Sequence, residues 1–180
     1  MNFSPTECLV LGLLHSGARY GHEIDKYLDQ MKIRYWTKTN RATIYQTLQR
    51  IERKGWVTSD TEVVGNMPRR KVYSLTPTGK KALQEMVFAG LASQEIVTFD
   101  YSIAIGWLEV LPTQLVIDQV IQRKNFVEKI IHQFSQEDVD SSNVYIGKRA
   151  NVKFLKSYYK MEREWLDWLL LELRRIEKKV

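Results

Sequence analysis

The sequence predicts a mainly helical protein with one small β-hairpin. The first half of the chain has three stretches in which apolar residues recur at helical spacing. Two short runs rich in β-branched residues follow, on either side of the turn signal Gly65-Asn66-Met67-Pro68. The second half has helical periodicity only. Three helices followed by a hairpin is the order of an N-terminal winged helix-turn-helix, here with an all-helical C-terminal domain.

The charge of the chain lies in one half. The 180 residues have an ordinary globular composition, with 44% hydrophobic and 27% charged residues. The net charge of +6 comes entirely from residues 1–88, which hold 14 Lys/Arg and 8 Asp/Glu, whereas residues 89–180 hold 13 of each. We therefore expect a DNA-binding domain at 1–88 and a helical dimerisation domain at 89–180.

Several classes of protein are disfavoured by what the sequence lacks. No apolar run reaches the ~18 residues of a membrane span, and the N-terminus has no basic signal-peptide region. The expected location is the cytoplasm. Cys8 lies in an apolar run and is expected in the core. The three histidines lack metal-ligand spacing, and no nucleophile has a plausible base. We expect no metal, no cofactor and no enzymatic activity.

The first two helices have recognisable ends. Ser4 is expected to be the N-cap of the first helix, with Pro5 at its first position and Glu7 completing a capping box. Gly17 ends this helix. The second runs from about Tyr20 to Met31, and a polar and aromatic connection continues to Lys38.

The third helix, from Thr39 to Gly55, has two different faces. Ile44, Leu48 and Ile51 form one apolar stripe, Thr39 or Asn40 can cap the start, and Gly55 sits at the C′ position. The opposite face carries Ala42, Gln46, Gln49, Arg50 and Arg53. Amides pair with adenine, guanidiniums with guanine or phosphate, and a methyl group with thymine. A solvated surface helix is the alternative, and the basic half around it favours DNA.

The hairpin is expected to be the wing. Its strands are Trp56 to Val64 and Arg69 to Leu75, and three cations, Arg69, Arg70 and Lys71, stand beside its tip. A basic triplet in a turn is often just solvated, but its place after the third helix favours contacts to phosphate or the minor groove. Thr76 then caps a helix that begins with Pro77.

The second half is expected to dimerise. Residues 91–111 form one or two helical segments, Pro112 to Phe134 is an amphipathic helix, 136–143 is a polar loop, and a last helix runs from about Val144 to Lys178. That helix, ~50 Å long, carries a heptad stripe typical of a coiled coil. The stripe could pack within one chain, yet the wider apolar surface favours a subunit interface. The expected interface residues are Leu155, Tyr159, Leu166, Leu169, Leu173 and Ile176.

These segments together resemble the PadR-like family of bacterial transcriptional regulators. The resemblance rests on Tyr20-Gly21-His22-Glu23-Ile24, on the run from Ile44 to Gly55, and on the run from Arg70 to Gly79. The family pattern reads roughly Y-G-Y-E-I, then L-Y-x-x-L-x-R-L-E-x-x-G, then R-K-x-Y-x-L-T-x-x-G. The chain departs from it at His22 and at Gln46, where the family often has Tyr and Pro. The match covers residues 8–83.

The second half is similar to the virulence-activator subgroup of that family, on the segment Glu164-Trp165-Leu166-Asp167-Trp168-Leu169. The resemblance implies a homodimer whose C-terminal helices embrace the other subunit. It also implies that a small aromatic effector could bind in a hydrophobic space between subunits. Trp107, Trp165 and Trp168 are candidates to line that space, with ordinary core packing as the alternative.

The sequence thus predicts a homodimeric, sequence-specific DNA-binding regulator that recognises a roughly palindromic site. The alternative is a winged-helix adaptor that binds proteins and not DNA. Ala42, Gln46 and Gln49 are expected to read bases. The expected phosphate and wing contacts are Tyr20, Lys38, Arg41, Thr43, Tyr45, Arg50, Arg53, Arg69, Arg70 and Lys71.

Overall fold

The computed structural model describes residues 4–31, 33–35, 37, 39–63, 69–96, 98–136 and 145–178. The chain divides after Ile96 into two compact units. The boundary expected at residue 88 falls inside a helix that continues to Leu91. The turn expected at 65–68, Lys38 and most of the loop expected at 136–143 lie outside the described residues.

The first unit has the expected order of three helices, a hairpin and a fourth helix. The two strands are antiparallel, with Val57 opposite Leu75 and Glu62 opposite Arg70. This arrangement confirms the predicted fold class. Its elements are α1 (Pro5–His15), α2 (Gly21–Gln30), a 3-10 turn (Ile33–Tyr35), α3 (Arg41–Arg53), β1 (Val57–Glu62), β2 (Arg70–Leu75) and α4 (Pro77–Leu91).

The second unit is helical in all its described elements. They are α5 (Asp100–Ile105), a 3-10 turn (Leu108–Val110), α6 (Thr113–Ser135) and α7 (Ile146–Glu177). The long helices α6 and α7 pack against each other. The one or two helical segments expected within residues 91–111 are α5 and the 3-10 turn, and the described residues between the end of α4 and α5 are not helical.

The apolar stripe of α3 forms part of the core of the first unit. Ile44, Leu48 and Ile51 are buried there together with residues of α1, α2 and the hairpin. Burying each such side chain contributes about 1.5–3 kcal/mol relative to leaving it exposed. Cys8 is only partly buried, at the edge of this core. The core therefore holds one face of α3 inward and leaves the other face outward.

The ends of the helices follow the sequence signals with one exception. Asn40 Oδ1 accepts a hydrogen bond from the Thr43 amide at 2.9 Å and caps α3. Gly55 has a φ of 69° at the C′ position of α3, as expected for a glycine there. The capping box expected for α1 was wrong. The Ser4 side chain makes no capping hydrogen bond, because Glu7 is engaged elsewhere.

Glu7 joins α1 to the last turns of α3. Its carboxylate is 3% exposed and accepts hydrogen bonds from Arg50 Nε at 2.6 Å and from Lys54 Nζ at 2.7 and 2.9 Å. Burial acts to raise the pKa of Glu7, but the hydrogen bonds from Lys54 and Arg50 outweigh burial and lower the pKa below its ordinary 4.5. The carboxylate is therefore ionised at neutral pH and fixes α3 on α1.

Gly79 lets the start of α4 lie against the residue that precedes β1. A Cβ at position 79 would stand 1.9 Å from the carbonyl oxygen of Trp56. The Thr76 hydroxyl lies 2.8 Å from the Gly55 carbonyl and accepts from the Gly79 amide at 3.0 Å, which closes the same corner. Only glycine fits at this approach.

The heptad stripe of α7 faces inward, which corrects the expected dimer interface. Leu155, Tyr159, Leu166, Leu169 and Leu173 are all less than 10% exposed within one chain. Tyr159 stacks on Phe134 of α6 with ring centroids 6.4 Å apart. Ile176 is the exception, at 51% exposed. The stripe packs within the chain because the neighbouring helix α6 covers it with its own apolar side chains.

We expect Gly79→Ala to destabilise the first unit by about 3 kcal/mol or more, because the added methyl group meets backbone that cannot move aside. The matched control is Gly12→Ala in α1, where a Cβ meets nothing within 4 Å. That change should stabilise the protein by about 0.5–1 kcal/mol. Urea unfolding followed by circular dichroism measures both. Equal midpoints for Gly79→Ala and the wild type would contradict the packing described here.

We expect Glu7→Gln to lower the free energy of unfolding by about 1–3 kcal/mol, less than for a fully buried pair because both cations are partly exposed. The folded-state pKa of Glu7 is lowered, so its contribution is present above pH 4.5 and is lost as the pH falls through the folded pKa. The difference between the wild type and the variant should therefore shrink below that pH. Glu85→Gln, at an exposed site on α4, is the control. A difference that grows on acidification would refute this account.

Candidate nucleic-acid interface

The outward face of α3 carries the residues expected to read bases. Ala42, Gln46, Gln49 and Arg53 are all exposed. They are spaced four, three and four residues apart and so share one side of the helix. Arg53 Nε donates a long hydrogen bond of 3.4 Å to the Gln49 carbonyl. The structure thus brings the three expected base readers together on one exposed surface, which we call the amide face.

The start of α3 is held in place by its N-cap residue, Asn40, and by the Tyr45 ring. Thr43, an expected phosphate contact, uses its hydroxyl to hydrogen-bond Asn40 Oδ1 at 3.0 Å. The Arg41 guanidinium lies 5.8 Å from the centre of the Tyr45 ring. That ring packs over Gly21, where a Cβ would come within 2.6 Å of it. Arg41 and Tyr45 are both exposed at the helix start, and Thr43 serves the cap.

Two of the three cations at the end of α3, Arg50 and Lys54, are neutralised by one carboxylate. Arg50 was expected to meet phosphate, but its Nε is bound to Glu7, and it also contacts the buried Thr47 hydroxyl at 3.3 Å. Lys54 is bound to the same carboxylate. The structure therefore assigns Arg50 to positioning the helix, because a buried carboxylate holds its guanidinium.

Tyr20 connects the start of α2 to the hairpin. It was expected to meet phosphate, but it is only 9% exposed, and its hydroxyl donates to Glu62 Oε2 at 2.5 Å. Arg70 donates to the same oxygen at 2.9 Å and lies 4.1 Å from the centre of the Tyr20 ring. The hydrogen bond from Tyr20 is the main cause of the lowered pKa of Glu62. Tyr20 and Arg70 thus anchor the hairpin on the helices.

Lys71 is paired in the same way, so among the described residues Arg69 differs from the other two cations of the triplet. Lys71 Nζ lies 3.3 Å from Glu52 Oε2. Glu52 also accepts a hydrogen bond from the Ser59 hydroxyl, the main cause of the lowered pKa of Glu52. Arg69 is exposed, and within the described part of the chain it has no ion pair. The hairpin keeps its cations mostly engaged with acids.

These acidic partners were missed from the sequence. Glu7 lies 43 residues from Arg50, and Glu52 lies 19 residues from Lys71. No local spacing can show pairs that form only after the chain has folded. A closer pairing was also missed: Arg34 is held by Asp25 at 2.5 Å and by Asp29 at 2.6 Å.

The three tryptophans expected to line an effector pocket are not brought together. Trp165 lines a cavity in the second unit with Phe99, Tyr101 and Tyr158. Trp107 and Trp168 do not line it and are 71% and 55% exposed. Trp165 therefore lines a cavity within one chain, whereas a place for Trp107 and Trp168 in a space between subunits stays a prediction.

The described residues offer neither a membrane-spanning helix nor a cluster of metal ligands. Among these residues, no helix is long and apolar enough to cross a membrane. The same residues contain no group of three or more His, Cys, Asp or Glu side chains placed to hold a metal ion.

The chain is similar to known regulators over nearly its whole length. It is 24% identical over 178 residues to the negative transcriptional regulator PadR of Bacillus subtilis, covering 94% of this chain and 96% of the relative. The crystal structure of that PadR in complex with operator DNA has a TM-score of 0.80 at 21% identity, covering 93% of this chain and 98% of the other. The Vibrio cholerae virulence activator AphA has a TM-score of 0.73 at 19% identity, covering 95% and 99%.

The family model agrees with the resemblance first noted in the sequence. Residues 10–85, which contain α3 and the hairpin, match the transcriptional regulator PadR-like family. The matched segment includes the whole amide face and the paired cations Arg50, Arg70 and Lys71. Glu7, which holds Arg50, precedes it. On these grounds residues 10–85 form a PadR-like domain, and the chain as a whole is similar to PadR regulators.

Proposed function

We propose that this regulator binds double-stranded DNA as a homodimer, in the cytoplasm, on a roughly palindromic site. The amide face of α3 enters the major groove, and the hairpin lies on phosphates or in the minor groove. The observation that carries the proposal is the amide face itself: two free amides and a methyl group on the exposed side of a rigidly held helix. The fold likeness to a PadR bound to operator DNA supports it. A winged-helix adaptor would have no use for such a face.

The proposal divides the contacts into two kinds. Gln46 and Gln49 pair with adenine edges, and the Ala42 methyl group contacts a thymine methyl group. Arg41, Arg53 and Arg69, which have no ion pair with any described residue, meet phosphates together with Tyr45 and Lys38. Other residues hold this surface in position through their contacts within the chain. They are Arg50, Arg70, Lys71, Thr43 and Tyr20. Because each phosphate contact adds about 0.9 to the slope of log affinity against log salt, few free cations imply a shallow salt dependence.

The second unit supplies the dimer contact in this proposal. Phe154, Met161 and Trp168 follow one another every seven residues along α7 and are 67%, 54% and 55% exposed. They form a second apolar stripe, which we call the outer stripe. An uncovered apolar stripe of this kind marks an association site. Two subunits related by a two-fold axis would place two copies of α3 on a palindromic site.

The proposal also keeps a regulatory role for a small aromatic effector. The support is the cavity beside Trp165, in which half of the described lining residues are aromatic. No enzymatic activity is proposed, since the family is one of transcriptional regulators.

We expect Gln46→Ala or Gln49→Ala to cost about 1–3 kcal/mol on the preferred site and to leave binding to random DNA nearly unchanged. The preferred site is first selected from a random pool with the full chain, and affinities follow from gel shifts at several salt concentrations. Gln84→Ala, an exposed amide on α4, is the control. Equal losses on both DNAs would remove the amide face from base reading. A chain that binds no DNA at all would favour the adaptor.

We expect the double change Phe154→Glu with Trp168→Glu to convert a dimer into a monomer, because charges would replace the outer stripe. Affinity for the selected site should fall on the order of 10²–10⁴-fold, since two linked half-site contacts become independent. Light scattering gives the mass and gel shifts give the affinity. Lys160→Glu on the same helix is the control. A dimeric double variant, or a monomeric wild type, would refute the assignment of the outer stripe.

A further inference from the structure

The second unit holds a small cavity between α5 and α7. Its volume is about 240 Å³, below the roughly 300–1,000 Å³ of sites for drug-sized ligands. A molecule with a single substituted ring fits such a space. The lining residues are Phe99, Tyr101, Ser102, Ile105, Tyr158, Met161, Glu162 and Trp165.

One carboxylate oxygen at this cavity is buried without a partner. Glu162 is 2% exposed. Its Oε1 accepts both hydrogen bonds from Arg123, from Nε at 2.8 Å and from a terminal nitrogen at 2.6 Å. Its Oε2 is buried and has no hydrogen-bond partner of ordinary geometry among the described residues, although the Tyr101 hydroxyl interacts with the same carboxylate and the pKa of Tyr101 is raised in part by this contact. A buried acceptor left unmet is costly, so a ligand that donates a hydrogen bond here recovers that cost.

The walls of the cavity favour a positive charge. Phe99 and Tyr158 stack with ring centroids 5.6 Å apart, and Tyr101 lies 6.4 Å from Trp165. Aromatic faces attract cations. Among the described lining residues Glu162 alone is charged, and Arg123, which lies 4.8 Å from the Tyr101 ring centre, already balances its other oxygen.

The pKa values of Tyr101 and Tyr158 respond to burial and to the charge of Glu162. Burial first, and then the charge of Glu162, raises the pKa of both Tyr101 and Tyr158 above the ordinary value of 10. Both hydroxyls therefore remain protonated at neutral pH. Burial disfavours a charge of either sign, and it is the negative charge of Glu162 that opposes an anionic ligand here.

We propose that this cavity binds a small aromatic amine, with the protonated nitrogen on Glu162 Oε2 and the ring among Phe99, Tyr158 and Trp165. The amine donates the hydrogen bond that the buried oxygen lacks, and its charge lies against the aromatic faces. A carboxylate of equal size is rejected. The inference deepens the proposed effector role, but binding itself is independent of DNA.

The test compares three near-isosteric probes on the full chain without DNA. They are phenethylamine, 2-phenylethanol and phenylacetate, followed by calorimetry and by tryptophan fluorescence. We expect saturable binding of phenethylamine at one site per chain, at least about tenfold weaker binding of the alcohol, since a charged hydrogen bond is replaced by a neutral one, and no binding of the acid. Because DNA is absent, a failure here leaves the proposed DNA binding untouched.

Two variants test the assigned position. Glu162→Gln removes the charge and should weaken phenethylamine binding at least about tenfold. Ser102→Leu fills the cavity from α5 without touching the Arg123 pair, so it tests the site even where Glu162→Gln folds poorly. Glu164→Gln, an exposed carboxylate on α7, is the control and should bind like the wild type. Phenylacetate binding as tightly as phenethylamine, undiminished amine binding by Ser102→Leu, or no amine binding up to about 10 mM would overturn the proposal.

Discussion

The orientation of α3 depends on one buried carboxylate. Glu7 sits at the start of α1, yet it binds Arg50 and Lys54 near the end of α3. The apolar stripe alone would hold α3 against the core but would resist sliding along the helix axis only weakly, because apolar contacts are non-directional. Two charged hydrogen bonds to one buried group fix both the rotation and the position of the helix. The amide face is presented at a defined angle for this reason.

Pairing of carboxylates with cations also holds the hairpin. Glu62 of β1 binds Arg70 of β2, and Glu52 of α3 binds Lys71 of β2, so cations that were expected to meet phosphate instead join the two strands to each other and the hairpin to α3. Each pair reduces the charge available to DNA and increases the rigidity of the surface offered to it. Phosphate contacts give affinity without sequence information, whereas a fixed helix with free amides gives specificity. The arrangement therefore favours recognition over general attraction, and dimerisation can compensate for the affinity of each half-site.

Local rules accounted for most of the first unit. The stripe from Ile44 to Ile51, the Asn40 cap and Gly55 all follow from periodicity and from the backbone preferences of single residues. The errors share one cause, which is pairing between distant residues. The Ser4 capping box failed because Glu7 finds cations 43 and 47 residues away. Tyr20 was expected on the surface because nothing in its neighbourhood reveals Glu62.

Helix α7 shows how one sequence pattern supports two interpretations. Its heptad stripe is real, but spacing cannot say whether the partner helix belongs to the same chain or to a second one. In the structure the heptad stripe packs against α6. The outer stripe lies on a different side of α7 and is exposed. Glu162 lies within the heptad stripe, where an apolar residue is the rule, and Arg123 of α6 meets only one of its oxygens. A buried carboxylate with one oxygen unmet is hard to explain by stability alone, since an apolar residue at that position would avoid the cost of desolvation. A ligand that satisfies the second oxygen gives this residue a function, and it places the ligand site on the same helix as the outer stripe.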